Sequence, residues 1–115
     1  MGFLLTAACG CHTGKIRKNN EDNFFFDGKC LEETNQGMED TMCITAAPVK
    51  GCTMAIFDGM GGERFGEVAS FAAAHGLQQE LAGLKEDYPF GGKAFQALAG
   101  KLNDAVMEKK KLKKT

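Results

Sequence analysis

An α+β fold is the arrangement this sequence predicts: an antiparallel β-sheet with two helices packed on one face. Three observations predict it. Strand-like apolar runs are confined to the first half of the chain and end at Phe57. From Phe65 onward the apolar residues recur at helical spacing instead. Turn chemistry falls between the runs, at Asp27-Gly28, Pro48, Gly51 and Asp58-Gly59.

The strands come first. Residues 3–9, "FLLTAAC", are apolar and extended in character, and "NFFF" at 23–26 is the second run, ended by Asp27-Gly28. Residues 29–41 are polar, contain Gly37 and read as a loop. "MCITA" at 42–46 is the third strand, stopped by Pro48. The fourth, 52–57, follows the short "APVKG" connection, which favours an antiparallel hairpin between the third and fourth strands. Met54 to Phe57 shows no polar/apolar alternation, a sign of burial on both faces.

Two helices follow. Phe65, Val68, Ala69, Ala72, Leu77, Leu81 and Leu84 define the first, with Gly83 near its end and Pro89 unable to continue it. The second begins after Gly91-Gly92 and places Phe95, Leu98, Leu102, Ala105 and Val106 on one face. Helices cover only one face of a sheet whose strands are apolar on both. The other face therefore calls for a further layer or for self-association.

Bulk properties narrow the function class. The 115 residues suit one modest domain, and 43% hydrophobic with 25% charged residues is ordinary for a soluble globular protein. No apolar run approaches the ~20 residues that span a bilayer. No basic segment precedes residues 3–9, which argues against a signal peptide and for a cytoplasmic location. The five cysteines are odd in number and show no Cys-x-x-Cys spacing, so free thiols are expected rather than a disulfide framework or zinc site. The tail "KKKLKK" at 109–114 carries five of the fourteen basic residues, leaving nine against fifteen acids, or −6, for the rest. Residues 109–115 read as a basic helix end or tail, where lysines complement the helix dipole. An acidic body with no basic patch is no nucleic-acid surface, and nothing marks a membrane partner.

Two acidic sites carry the chemistry. In "MAIFDGMGG" (54–62) an apolar run stops on Asp58, and Gly59, Gly61 and Gly62 follow. Such glycines permit positive φ or close backbone approach. Asp58 is then either a turn cap, as Asp-Gly often is, or a functional group on a rigid mount. In "GKIRKNNED" (14–22), Arg17 precedes the pair Glu21 and Asp22, which stands at the start of the second strand. In an antiparallel neighbourhood those two strand ends lie side by side. Adjacent carboxylates repel, and a divalent cation relieves the repulsion. Oxygen ligands suit Mg²⁺ or Mn²⁺ rather than zinc. The forked Arg17 guanidinium suits phosphate oxygens, and the combination points to metal-assisted phosphoryl chemistry.

"GKIRKNNEDNF" together with "AIFDGMGGERFGEVAS" resembles the metal-dependent type 2C protein serine/threonine phosphatases, especially their bacterial branch. The likeness extends over most of residues 6–108. It implies that Asp58 corresponds to the aspartate bridging two metals and that the Gly59 carbonyl is a metal ligand. It makes Asp22 an acid of the metal centre, Glu21 a group acting through metal-bound water, and Arg17 the holder of the substrate phosphate. The implied reaction is attack of a metal-activated water on phosphoserine or phosphothreonine in protein substrates, with Mn²⁺ or Mg²⁺ as the two ions.

The resemblance also implies a four-layer α-β-β-α sandwich about twice this length. Residues 1–115 would then be its amino-terminal half. Glu80, Glu86, Asp87, Asp104 and Glu108 read as surface or loop acids, so the later metal aspartates have no counterpart. The expectation is a phosphatase inactive as this chain alone, with a non-catalytic binding or regulatory module as the alternative. His12 precedes the Arg17 loop and is a candidate to contact substrate or donate a proton. His75 reads as a helix-packing or surface residue, and Glu67 as an organiser of the turn that holds Asp58.

Overall fold

The computed structural model describes residues 3–47, 52–59, 65–83 and 92–113. Pro48 to Gly51, Gly61, Gly62, Leu84, Pro89, Gly91 and Lys114 lie outside them. The element order is β1 (Leu5–Cys9), β2 (Asn23–Phe25), β3 (Met42–Ala46), β4 (Ala55–Phe57), α1 (Gly66–Ala82) and α2 (Gly92–Lys113). This is the α+β class expected.

The strand pairing differs from the expected hairpin. β3 pairs with β1, and β4 pairs with β2, each antiparallel, so the single sheet is divided into two two-stranded ribbons. Closing a longer loop adds little entropy, so a short connection permits a hairpin without compelling one. Pairing with β2 gives β4 a partner buried at every residue. β1 and β3 share the alternation of half-buried strands. Ala7 opposite Ile44 and Cys9 opposite Met42 are half-buried, while Thr6 and Thr45 bring their hydroxyls to 3.3 Å on the exposed face.

β2 ends in a two-residue turn. Phe26 and Lys29 exchange both backbone hydrogen bonds at 2.9 Å, and Asp27 and Gly28 both take positive φ, 51° and 74°. Asp-Gly is a favoured pair for a turn with two left-handed residues. The backbone of this buried run is anchored by Asn23, whose Oδ1 accepts from Leu31 N–H at 2.9 Å and from Phe24 N–H at 2.8 Å.

α1 lies on the β2/β4 ribbon, and α2 packs on α1. The core consists of Phe24, Phe25 and Phe26 with Val68, Ala72, Ala73, Ala74 and Leu77. Burying each phenylalanine contributes roughly 1.5–3 kcal/mol. Small residues dominate the buried side of α1, and at Gly76 a Cβ would lie 3.2 Å from Leu102 of α2, so α2 sits close there. His75 stacks on Phe71 with centroids 5.2 Å apart, a packing role as expected. The predicted α2 face is half-buried at Leu98, Leu102, Ala105 and Val106, whereas Phe95 is exposed. Lys109 to Lys113 continue α2 as its basic end.

Burial on both faces of the fourth strand is not what the structure shows: Ile56 is 86% exposed and Met54 43%. α1 covers β4 on one side, and among the described residues no second layer covers the other. An apolar groove of about 350 Å³ is bordered there by Ala8, Cys9, Phe24, Met54 and Ile56. All five cysteines are free thiols. Among the described residues, no helix is long and apolar enough to cross a membrane.

Candidate phosphate and cation site

The β2/β4 register places the acids. Asn23 pairs with Phe57, so Asp22 and Asp58 are the next residues outward on neighbouring antiparallel strands. Antiparallel geometry makes such residues cross-strand neighbours. Burial pushes the Asp22 carboxyl above its ordinary value, and the Asp58 charge and a side-chain hydrogen bond with Asp58 push it further. The Gly59 N–H donating to Asp22, and the Arg17 charge, act in the opposite direction. A hydrogen bond between two carboxyls requires a proton on one of them, or a cation in its place.

Stability follows from that shift. A carboxyl whose folded pKa is raised binds its proton more tightly in the folded state, so stability falls as pH rises from the ordinary value to the raised one, and the full cost is present above it. Asp22→Asn is therefore expected to raise the melting temperature slightly, by about a degree or two at most, at pH 7 without divalent cation, because solvent screens a largely exposed carboxyl. The gain should shrink as pH falls toward the ordinary Asp value of 3.8. Thermal scans of both proteins from pH 7 downward check this, and an equal or lower midpoint for the variant at pH 7 contradicts it.

Close backbone contact holds the acids together. A Cβ on Gly59 would overlap the carbonyl oxygens of Glu21 and Gly66, so only glycine fits. The Glu21 carbonyl also accepts a 2.6 Å hydrogen bond from Ser70 Oγ on α1. The α1 amino-terminus, the Asp58-Gly59 corner and the Glu21-Asp22 segment are thereby locked into one unit. The Gly59 carbonyl and the Glu21 carboxylate both come within 3.2 Å of a Cβ position built on Gly66. Arg17 Nη1 donates to Glu21 Oε2 at 2.6 Å, and the arginine side chain remains 56% exposed. Among the described residues, no other nitrogen of its guanidinium fork makes a hydrogen bond.

Arg17, Glu21, Asp22, Asp58 and Gly59 all line one cavity of about 420 Å³. The five residues singled out from the sequence are thus brought together. His12 and Asn19 line the same cavity. Glu67 lies in the first turn of α1, where its carbonyl accepts from Ser70 Oγ at 3.3 Å; the rest of the turn lies outside the described residues.

Sequence reasoning missed three contributors. Asn20 is 4% exposed, and its Nδ2 donates to Asn35 Oδ1 at 2.8 Å and to Asp22 O at 3.0 Å. It also lies 3.1 Å from Cys11 Sγ, a weaker contact, since the amide has only two protons. Ser70 and Thr13 are the others. The only cue was position: Asn20 precedes the acidic pair, and Ser70 lies one helical turn from Gly66.

The donor set fits a hard cation in part. Two carboxyls in contact and a nearby backbone carbonyl are oxygen donors suited to Mg²⁺ or Mn²⁺. Among the described residues, however, no group of three or more His, Cys, Asp or Glu side chains is placed to hold a metal. No family model, curated protein or solved structure matches this chain.

Proposed function

We propose that the cavity is the substrate and cation site of a metal-dependent serine/threonine phosphatase of the type 2C kind, incomplete in this chain alone. The carrying observation is the juxtaposition of Asp22 and Asp58 beside Arg17 in one cavity. Mn²⁺ or Mg²⁺ bound at these oxygens supplies Lewis-acid charge and a water of lowered pKa. The chain's own residues do the rest. Asp22 and Asp58 offer the anionic oxygens, and the Gly59 N–H orients Asp22. Glu21 holds Arg17 by one nitrogen and leaves the remaining fork to receive a phosphate oxygen. Phosphoserine and phosphothreonine proteins are the substrates on this reading. Five free thiols accord with the cytoplasmic location it carries.

Binding tests this reading more directly than turnover. With Mg²⁺ present, a phosphothreonine peptide should bind more tightly than its unphosphorylated twin, and Arg17→Ala should reduce that preference about tenfold or more. Equal affinity for the two peptides overturns the reading. Mn²⁺-dependent phosphate release as fast as that of a complete phosphatase overturns the incompleteness.

A non-catalytic binding module is the second reading, and the apolar groove beside Ile56 favours it. Exposed apolar surface of that kind promotes association. Light scattering should show more than monomer mass for the native chain, and Ile56→Lys should shift it toward the monomer. A native chain that is monomeric at every concentration contradicts an association surface there.

A further inference from the structure

The cavity has donors that the phosphatase reading leaves unused. His12 lines it. The Gly14 N–H donates to His12 Nδ1 at 2.8 Å. A backbone N–H only donates, so Nδ1 must accept, and the neutral ring carries its proton on Nε2. Thr13 lines the same cavity, and its Oγ1 is buried without a hydrogen-bond partner among the described residues. A buried hydroxyl left unpaired is costly and points to a missing partner.

The segment carrying these two residues is held firmly. His12 forms a backbone bridge with Gly37, and Met38 N–H donates to Cys11 O at 2.7 Å. Gly37 has φ +93°, and a Cβ there would stand 2.6 Å from Cys11 O and 2.8 Å from His12 Cα. Only glycine allows that approach. Asn20 ties the same region to the acids, since its N–H donates to Asn35 O at 3.0 Å while its Nδ2 holds Asp22 O. Asn35 Oδ1 in turn accepts from Gly37 N–H at 2.9 Å.

We propose that His12 Nε2–H and Thr13 Oγ1–H bind non-bridging oxygens of the substrate phosphate, with His12 a neutral donor rather than a cation ligand or general base. This rests on the phosphatase reading of the same cavity. The chemistry favours it over the other roles of histidine. Nδ1 is occupied by Gly14, and Nε2 bears a proton, so neither nitrogen presents a lone pair to a metal or to water. A neutral donor complements Arg17 by adding direction to an anion's hydrogen bonds without adding charge.

The test uses the whole chain with Mg²⁺ and inorganic phosphate. Nitrogen-15 NMR should show His12 as the Nε2–H tautomer before phosphate is added, and its Nε2 signal should move on titration. His12→Ala should weaken phosphate at least about tenfold, and His12→Gln, which keeps a side-chain N–H at similar reach, should recover most of the loss. Thr13→Val should weaken phosphate a few-fold while raising the melting temperature without phosphate, because it removes the orphan hydroxyl. A merely structural threonine would not move those two readouts in opposite directions. An Nδ1–H tautomer, or phosphate affinity unchanged in both His12→Ala and Thr13→Val, overturns the proposal. So does loss of Mg²⁺ binding in His12→Ala without phosphate. Phosphate that moves Arg17 signals and leaves His12 still overturns this proposal alone. Phosphate that moves neither overturns the phosphatase reading and this inference with it.

Discussion

Gly59→Ala is expected to lower the melting temperature by roughly 5–15 °C, taking about 1–3 kcal/mol for an overpacked backbone site and several degrees per kcal/mol. The added methyl would overlap two carbonyl oxygens, those of Glu21 and Gly66. Neither is the end of a flexible side chain. Glu21 O is held by Ser70 Oγ at 2.6 Å, and Gly66 begins α1, so relief requires moving α1 away from the acidic segment. Gly66→Ala is the internal comparison. Its nearest neighbour is the Glu21 side chain, with Cδ at 3.0 Å, which a rotamer change can relieve. The Gly66 variant should therefore lose much less. Thermal or urea unfolding of both variants decides it, and equal midpoints for Gly59→Ala and the native chain contradict the close approach.

Asp58→Ala is expected to abolish the calorimetric signal of Mn²⁺ or Mg²⁺ binding to this chain. Asp22 loses the carboxyl it meets across the ribbon among the described residues, and that leaves too sparse a donor set for a divalent ion in water. The native signal should itself be weak, because among the described residues no group of three or more acids or other metal-binding side chains converges. Asp58→Asn keeps the shape of the corner and should lose most of the heat as well, which separates charge from packing. Identical heats in native and Asp58→Ala protein would remove the proposed cation site. In a complete domain built on this chain, the same substitution should eliminate turnover, whereas Arg17→Ala should act mainly on phosphate binding.

The juxtaposition of Asp22 and Asp58 was legible because it depends on local features: each acid adjoins an apolar run, and an antiparallel ladder brings such ends together. The Asp27-Gly28 turn was legible for the same reason, since the dipeptide itself favours left-handed backbone. Asn20 was not legible. Its burial depends on Asn35, fifteen positions away, and on Cys11, neither of which shares a pattern with it. Ser70 likewise reads as an ordinary small helical residue until its hydroxyl meets Glu21 O across 49 positions.

By itself the sequence determined the class of each element, the apolar character of β2, and the candidates Arg17, Glu21, Asp22, Asp58 and Gly59. These follow from periodicity, turn chemistry and residue type, which act over a few neighbours. Only the tertiary structure decided which strands pair, why Gly59 must be glycine, and which ring nitrogen of His12 meets the Gly14 N–H. A strand's partner is chosen by burial over the whole chain, so β4 joined β2 beneath α1 rather than its sequence neighbour β3. Close approach at Gly59 and the Gly14–His12 contact exist only once the separate segments share a surface. Hydrogen bonds act over about 3 Å, a scale that the spacing of letters along a chain does not resolve.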